Sequence, residues 1–341
     1  LLLTSLTGFS QKKEPVKDSR FQPTTFTGLK FRNLGPAFMS GRIADIAIHP
    51  ENDNTWYIAV GSGGVWKTEN AGTTWNPIFD KQSVYSTGCI TLDPSNPSTV
   101  WLGTGENVGG RHLSFGDGIY KSIDDGKTWK NMGLKNSEHI SKIIVHPSNS
   151  DIILVAAQGP LWSLGGDRGL FKSIDGGKNW SKVLGVNEWT GVTDIVIDAL
   201  NPDWMYAATW QRHRTVAAYM SGGPGSGIYR SKDGGDTWEE TDLTWDPLTS
   251  TEARERLAIN KLTFHPTDPS IIFALSHFEV YKMQMLTNSN GAISGWNKTT
   301  ITPLNELSKY IDIEFVEITN VKFVTSEPAE TETEPVFGLN S

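Results

Sequence analysis

The octapeptide SIDDGKTW at residues 122–129 returns as SIDGGKNW at 173–180 and SKDGGDTW at 231–238, with a looser copy, TENAGTTW, at 68–75. Self-similarity at a period of roughly 50 residues marks an array of one supersecondary unit, not a single irregular core. The unit is larger than the octapeptide. Each copy follows a glycine-opened aromatic strand (GVWK, GIYK, GLFK, GIYR), and further upstream lies a strand that ends in a turn: IADIAIHPEND, CITLDPSNP, KIIVHPSNS, DIVIDALNP and, in a fifth copy, KLTFHPTDP. A second strand follows at once: TWYIAVG, TVWLGTG, IILVAAQ, WMYAATW, IIFALSH. Each unit therefore reads strand A, short turn, strand B, variable loop, strand C, tight turn, strand D, which is one four-stranded antiparallel propeller blade. With 34 Gly, 17 Pro and 13 Trp in 341 residues and few apolar runs at helical spacing, the expected class is all-β.

A tight C–D hairpin needs residues that accept positive φ and groups that satisfy its backbone donors. Gly126, Gly177 and Gly235 supply the first. Asp124, Asp175 and Asp233 supply the second, helped by Ser122, Ser173 and Ser231, while Asn70 in the looser copy brings the acceptor without the charge. Trp129, Trp180 and Trp238 then open strand D and are expected to plug the space between neighbouring blades, and Trp75 is the structural tryptophan of the looser box. None of these aspartates is followed by the alternating oxygen ligands of a calcium loop, so the repeat is read as a structural staple. His49, His146 and His265 recur in the A–B turns, an argument for turn structure over metal ligation; no metal and no cofactor is expected.

The pattern S-x-D-x-G-x-T-W resembles the Asp-box of repeat propellers found in sialidases, xyloglucan-cleaving hydrolases, sortilin-type receptor domains and a photosystem II assembly factor. LKFRNLGPAFMSGRIADIAIHP, GDGIYKSIDDGKTWKNMGL and SGGPGSGIYRSKDGGDTW are similar to secreted bacterial proteins of the sortilin N-terminal-like or repeat-containing glycosyl hydrolase kind, over about residues 29 to 240. The resemblance implies the fold strongly and an activity weakly, because the shared motif belongs to the scaffold. Sialidases carry an arginine in an F/Y-R-I-P strand; FRNLGP at 31–36 matches only in part. Xyloglucan-cleaving relatives place a catalytic aspartate in R-T-D-x-G-G-x-Y, and the similar AVGSGGVW at 59–66 has Gly61 at that position, which closes that route to catalysis.

The layout expected from sequence is a signal-peptide remnant at 1–10, a linker at 11–28, the propeller at 29–325, and an acidic linker or partial last blade at 326–341. Five blades are recognisable, and YIDIEFVEI, VKFVTSE and PVFGL offer a partial sixth that the strand at 29–34 would complete; the alternative is a fragment of a longer propeller. The apolar start LLLTSLTGFS implies an exported protein, secreted, periplasmic or at the cell surface of a bacterium, and no later stretch is apolar enough to span a membrane. A net charge of −8 without a Lys/Arg cluster argues against nucleic acid as partner. The lone Cys89 reads as a buried strand residue.

Strand alternation puts the Asp-boxes and A–B turns on one face and the B–C loops and D–A connections on the other. The B–C loops differ most between blades: GENVGGRHLSFGDG, QGPLWSLGGDRG and QRHRTVAAYMSGGPGSG. Variable loops on a rigid repeat are where binding chemistry concentrates. The expected ligand-binding residues are Arg42, Arg111, His112, Trp162, Arg168, Trp189, Trp210, Arg212, His213 and Tyr219, with Glu138 and His139 close by. Aromatics beside arginines suit capture of a glycan or a protein segment, with other modules of a longer chain as further partners. A glycoside hydrolase is the alternative; it needs two facing carboxylates, for which Glu106, Asp167 and Glu188 are the candidates.

Overall fold

The computed structural model describes residues 41–108, 110, 113–241, 259–265, 268–276, 279–289 and 293–303. The expected sixth-blade strands, the N-terminal 40 residues and the acidic stretch at 326–341 lie outside them.

The described chain is built of β-strands, and the strands of each sheet pair antiparallel in chain order. The first sheet comprises Ile43–His49, Asn52–Val60, Gly64–Thr68 and Asn76–Pro77 in that order. The second comprises Thr87–Asp93, Asn96–Thr104, Ile119–Ser122 and Lys130–Asn131, and the third Ile140–His146, Asn149–Ala157, Gly169–Ser173 and Ser181–Leu184. The fourth runs Thr190–Ile197, Met205–Gln211, Gly227–Ser231 and Glu239–Glu240, with a small separate hairpin, His213–Arg214 and Tyr219–Met220, inside its B–C loop. The fifth is Ile259–Phe264, Ile271–Ser276, Glu279–Thr287 and Ile293–Pro303, where a long C–D hairpin replaces the Asp-box. These are the five expected blades. Their A strands adjoin in order, first to second, second to third and onward.

The core lies between sheets, because each blade is apolar on both faces. Tyr57, Ala59 and Val65 of the first blade meet Val100, Leu102 and Tyr120 of the second. Trp101 and Ile119 meet Ile143, Val145, Ile153 and Val155 of the third, and two further clusters join the third blade to the fourth and the fourth to the fifth. Cys89 is buried in the second of these interfaces, and burial pushes its thiol pKa far up, away from reactivity. The first blade's other face, carrying Ile43, Ile46 and Ile48 beside Trp56, Ile58 and Trp66, is exposed or half-exposed among the described residues.

Each A strand slips register by one residue near its start, at Ala44, Gly88, Ser141, Thr193 and Asn260. A bulge of this kind re-aims side chains. It aims them at the next blade: Asp45 accepts the Ile90 N–H at 3.0 Å and Asp194 accepts the Leu262 N–H at 2.7 Å. The Ser141 hydroxyl donates to the Val192 carbonyl at 3.0 Å and that of Thr193 to the Ile259 carbonyl at 2.6 Å. Between the second and third blades the backbones themselves close up, since a Cβ on Gly88 would sit 2.2 Å from the Ile140 carbonyl oxygen. Edge groups that would otherwise lie open are thereby satisfied.

The octapeptide turns are seated as their sequence requires. In the second blade the Ser122 hydroxyl accepts the Gly126 N–H at 2.9 Å and donates to Asp124 Oδ1 at 2.8 Å; Asp124 in turn accepts the N–H and hydroxyl of Thr128 at 2.8 and 2.7 Å. The third and fourth boxes repeat this around Asp175 and Asp233. In the first, Thr68 and Asn70 hold the same geometry without charge. The tryptophans sit one residue before strand D. Trp129 donates to the Ile78 carbonyl of the preceding blade at 2.9 Å and Trp180 to that of Met132 at 2.8 Å, while Trp238 bonds its own turn at Gly235 and Trp75 packs on Trp56. The lysine one residue before the end of strand C reaches the next blade's box in the second and third blades: Lys121 donates to the Gly176 carbonyl, and Lys172 to that of Gly234 and to Asp236 at 2.6 Å. His49 and His146 accept backbone N–H groups two residues on, at 3.2 and 3.3 Å, as turn caps.

Candidate functional site

The loops opposite the boxes are joined across blades by polar side chains. Arg42, just before the first A strand, pairs with Glu106 of the second B–C loop, Nη2 to Oε2 at 2.7 Å, and Ser62 donates to Oε1 at 3.1 Å. The Glu106 side chain is 4% exposed against 46% for Arg42, so this pair closes at the mouth of the first two blades. A Cβ on Gly61 would lie 2.5 Å from Glu106 Oε1; the glutamate fills the space that a side chain at position 61 would take.

Arg168 is buried and holds the third B–C loop together. Its nitrogens donate to the carbonyls of Gly165, Gln158, Trp189, Pro160 and Ser163. Burial lowers its pKa to about 10, which leaves it charged at neutral pH. Asp167 accepts the Asn136 N–H at 2.9 Å, fixing the same loop to the preceding D–A connection. Glu188 is exposed. Trp162 stands out on that loop, 46% exposed.

The fourth loop contributes the buried side of the site. Trp210 is buried and donates to the Ser221 carbonyl, so it serves as a floor and not as a surface platform. Arg212, fully buried, lies over its indole at 5.2 Å and donates Nη1 to the Val108 carbonyl of the second blade's loop. Burial lowers its pKa to about 9. Arg214 stacks on Tyr219 at 4.0 Å, and Trp189 meets His213 edge-on at 4.1 Å. His139 is buried beneath, and burial followed by the Arg212 charge lowers its pKa to about 3; it is neutral at physiological pH. Glu138, with φ +54° and a half-buried side chain, has its pKa raised by burial.

The structure therefore brings Arg168, Trp189, Trp210, Arg212, His213 and Tyr219 into one neighbourhood spanning the third and fourth blades, and sets Arg42 with Glu106 at the first two. Arg111 and His112 lie outside the described residues. Gln158, the last residue before the third loop, was not singled out by sequence: it donates to the Asn107 carbonyl and links the second loop to the third. Its signal was a polar residue ending an otherwise apolar B strand, IILVAAQ.

A family model described as Sortilin-Vps10 (sortilin, neurotensin receptor 3) matches residues 117–243. An oligoxyloglucan-reducing end-specific xyloglucanase of Emericella nidulans is 24% identical over 225 residues, 60% of this chain and 25% of that protein. Xyloglucanase Xgh74A of Acetivibrio thermocellus is 24% identical over 244 residues, 64% of this chain and 28% of that protein. The chain thus spans about a quarter of the length of these relatives. Among solved structures, the GH74 xyloglucanase of Xanthomonas campestris superposes with a TM-score of 0.54 at 15% identity, over 74% of this chain and 38% of that one. The GH74 enzyme of Niastella koreensis gives 0.53 at 20% identity, over 74% and 37%. The likeness to Asp-box propellers read from the octapeptides holds, and the fold is theirs.

Proposed function

We propose that the loop face of this propeller binds a glycan. The observation that carries the reading is Trp162, an indole 46% exposed on the third B–C loop, with Phe115, Leu164, Val216 and Met220 also exposed on B–C loops; the exposed Ile123, Ile174 and Leu200 of the opposite face bring no aromatic ring. Sugar rings present an apolar face and an equatorial fringe of hydroxyls, and a surface of this composition matches both. Glu106, by contrast, is held by Arg42 and Ser62, and Asp167 by the Asn136 N–H, which are scaffold roles.

The relatives' names make xyloglucan oligosaccharides the first ligands to try. Calorimetric titration with xyloglucan and cellulose oligosaccharides is expected to show binding, and Trp162→Ala to weaken it roughly tenfold, the size of one aromatic stacking contact of about 1–1.5 kcal/mol. Absence of binding across a glycan panel, or an unchanged affinity in the variant, sinks the reading.

One observation favours hydrolysis as a second reading. The Glu106 carboxylate occupies the space at Gly61 where the xyloglucan-cleaving relatives resemble this chain but carry an aspartate. Release of reducing ends from xyloglucan by the wild type, abolished in Glu106→Gln while oligosaccharide affinity is kept, would establish it; no release excludes it for these substrates.

A further inference from the structure

Arg212 and Arg168 are both buried cations on this face, and the fold treats them differently. Every nitrogen of Arg168 donates to a backbone carbonyl. Arg212 makes one such bond, Nη1 to Val108 O at 3.0 Å, whereas Nε and Nη2 are buried without a hydrogen-bond partner among the described residues. Those two nitrogens lie on one edge of the guanidinium, and their N–H bonds run parallel at the spacing of a carboxylate's two oxygens. The orphaned pair is a complete side-on fork, not a stray donor.

Among the described residues no carboxylate bonds that edge. The charged and polar groups that act on Arg212 are the Tyr219 phenol, the Arg168 guanidinium and the half-buried Glu138, whose own pKa burial raises and which forms no hydrogen bond to the guanidinium. The Tyr219 hydroxyl, His139 Nδ1 and Gln158 Oε1 are likewise buried and unpartnered. A desolvated guanidinium whose acidic neighbour does not bond its open edge is costly to hold, and buried polar atoms gathered without partners call for a group that would satisfy them.

We propose that the Arg212 fork receives a carboxylate carried by the ligand, that of a uronic acid in an acidic glycan. The inference rests on the glycan reading of the loop face and deepens it: neutral sugar rings lie against the exposed aromatics, and the acid group is read by Arg212, with Tyr219 as an added donor. Trp210 beneath the guanidinium keeps the fork's plane fixed.

The test uses the full chain and follows thermal unfolding in sodium D-glucuronate, with glucose, sodium chloride and sodium sulfate at matched ionic strength as comparisons. Glucuronate is expected to raise the melting temperature saturably, beyond all three. Arg212→Met keeps the stem over Trp210 and removes an unpaired buried charge, so it is expected to melt at or above the wild type without ligand and to lose the glucuronate shift. Arg212→Lys keeps the charge without the fork and is expected to bind glucuronate at least tenfold more weakly. The proposal is overturned if glucuronate acts like chloride on the wild type, if sulfate gives the larger saturable shift, or if Arg212→Met responds to glucuronate as the wild type does. Titration with neutral and uronate-bearing oligosaccharides runs alongside. Neutral binding without a glucuronate effect removes the fork and leaves the glycan reading; an Arg212-dependent glucuronate effect with no oligosaccharide bound removes the glycan reading and, with it, the uronate assignment.

Discussion

Gly177→Ala isolates how firmly an octapeptide turn is pressed into the neighbouring blade. Gly177 has φ +85°, and a Cβ there would lie 2.5 Å from Trp101 Cη2 and 3.1 Å from Cζ3. Two costs follow. The left-handed backbone costs an L-residue about 1–2 kcal/mol. The overlap with Trp101 adds about 1–3 kcal/mol, because that ring is fully buried between two sheets, with Lys121 4.6 Å over its face, and has little room to retreat. The sum is a loss of roughly 2–5 kcal/mol. Gly165→Ala is the matched control: its φ is +74° but nothing lies within 4 Å of the added Cβ, so only the backbone cost of about 1–2 kcal/mol applies. Urea unfolding followed by tryptophan fluorescence compares the two midpoints at constant slope. If Gly177→Ala is no worse than Gly165→Ala, the turn is not seated against Trp101 and the account of the boxes as blade fasteners is wrong.

The carboxyls of Asp124 and Asp175 are held at about 2, against an ordinary 3.8, chiefly by the side chains of Thr128 and Asn179; at Asp233 burial opposes the shift but the Thr237 hydroxyl and N–H outweigh it, again to about 2. A carboxyl depressed on folding contributes stability that is present above its unfolded pKa and lost as pH falls through the folded one. Melting temperature is therefore expected to drop between pH 4 and 2, and to drop less when all three are changed to Asn, the residue already at position 70; equal slopes in the two proteins refute this. Arg168→Lys is expected to destabilise the chain by about 2–4 kcal/mol, since a point charge cannot serve carbonyls spread over Gln158 to Trp189, and to open the loop near Gly165 to proteolysis. Wild-type protease resistance in that variant would contradict the staple role.

What the sequence declares locally, the structure keeps. The Ser, Asp, Gly and Trp of each box act within a few residues of one another, so the hairpins, the strand order and the two faces follow from short stretches. The loop chemistry does not. Arg42 and Glu106 are 64 positions apart, and Arg212 and Val108 are 104. No local pattern tells Arg168, consumed by backbone carbonyls, from Arg212, with a free fork; both read simply as loop arginines. Trp162 and Trp210 look equivalent in sequence as well, yet one is a surface platform and the other a buried floor, because the pairing of Gly191 with Trp210 places the latter inside the sheet. The fifth blade carries no octapeptide, yet the long pairing of Glu279–Thr287 with Ile293–Pro303 keeps its four strands.

Side chains of the A strands tie each blade to its neighbours in both directions: Asp45 to Ile90, Ser141 to Val192, Thr193 to Ile259 and Asp194 to Leu262 run forward, while Thr87 donates back to the Val60 carbonyl and Lys261 reaches back to Asp194. In an assembly coupled through nearest neighbours in this manner, the cooperativity of the described blades is set by their weakest junction. The second and third blades meet backbone to backbone at Gly88 and Ile140, so a side chain larger than hydrogen there forces these two backbones apart and loads the strain on that one junction.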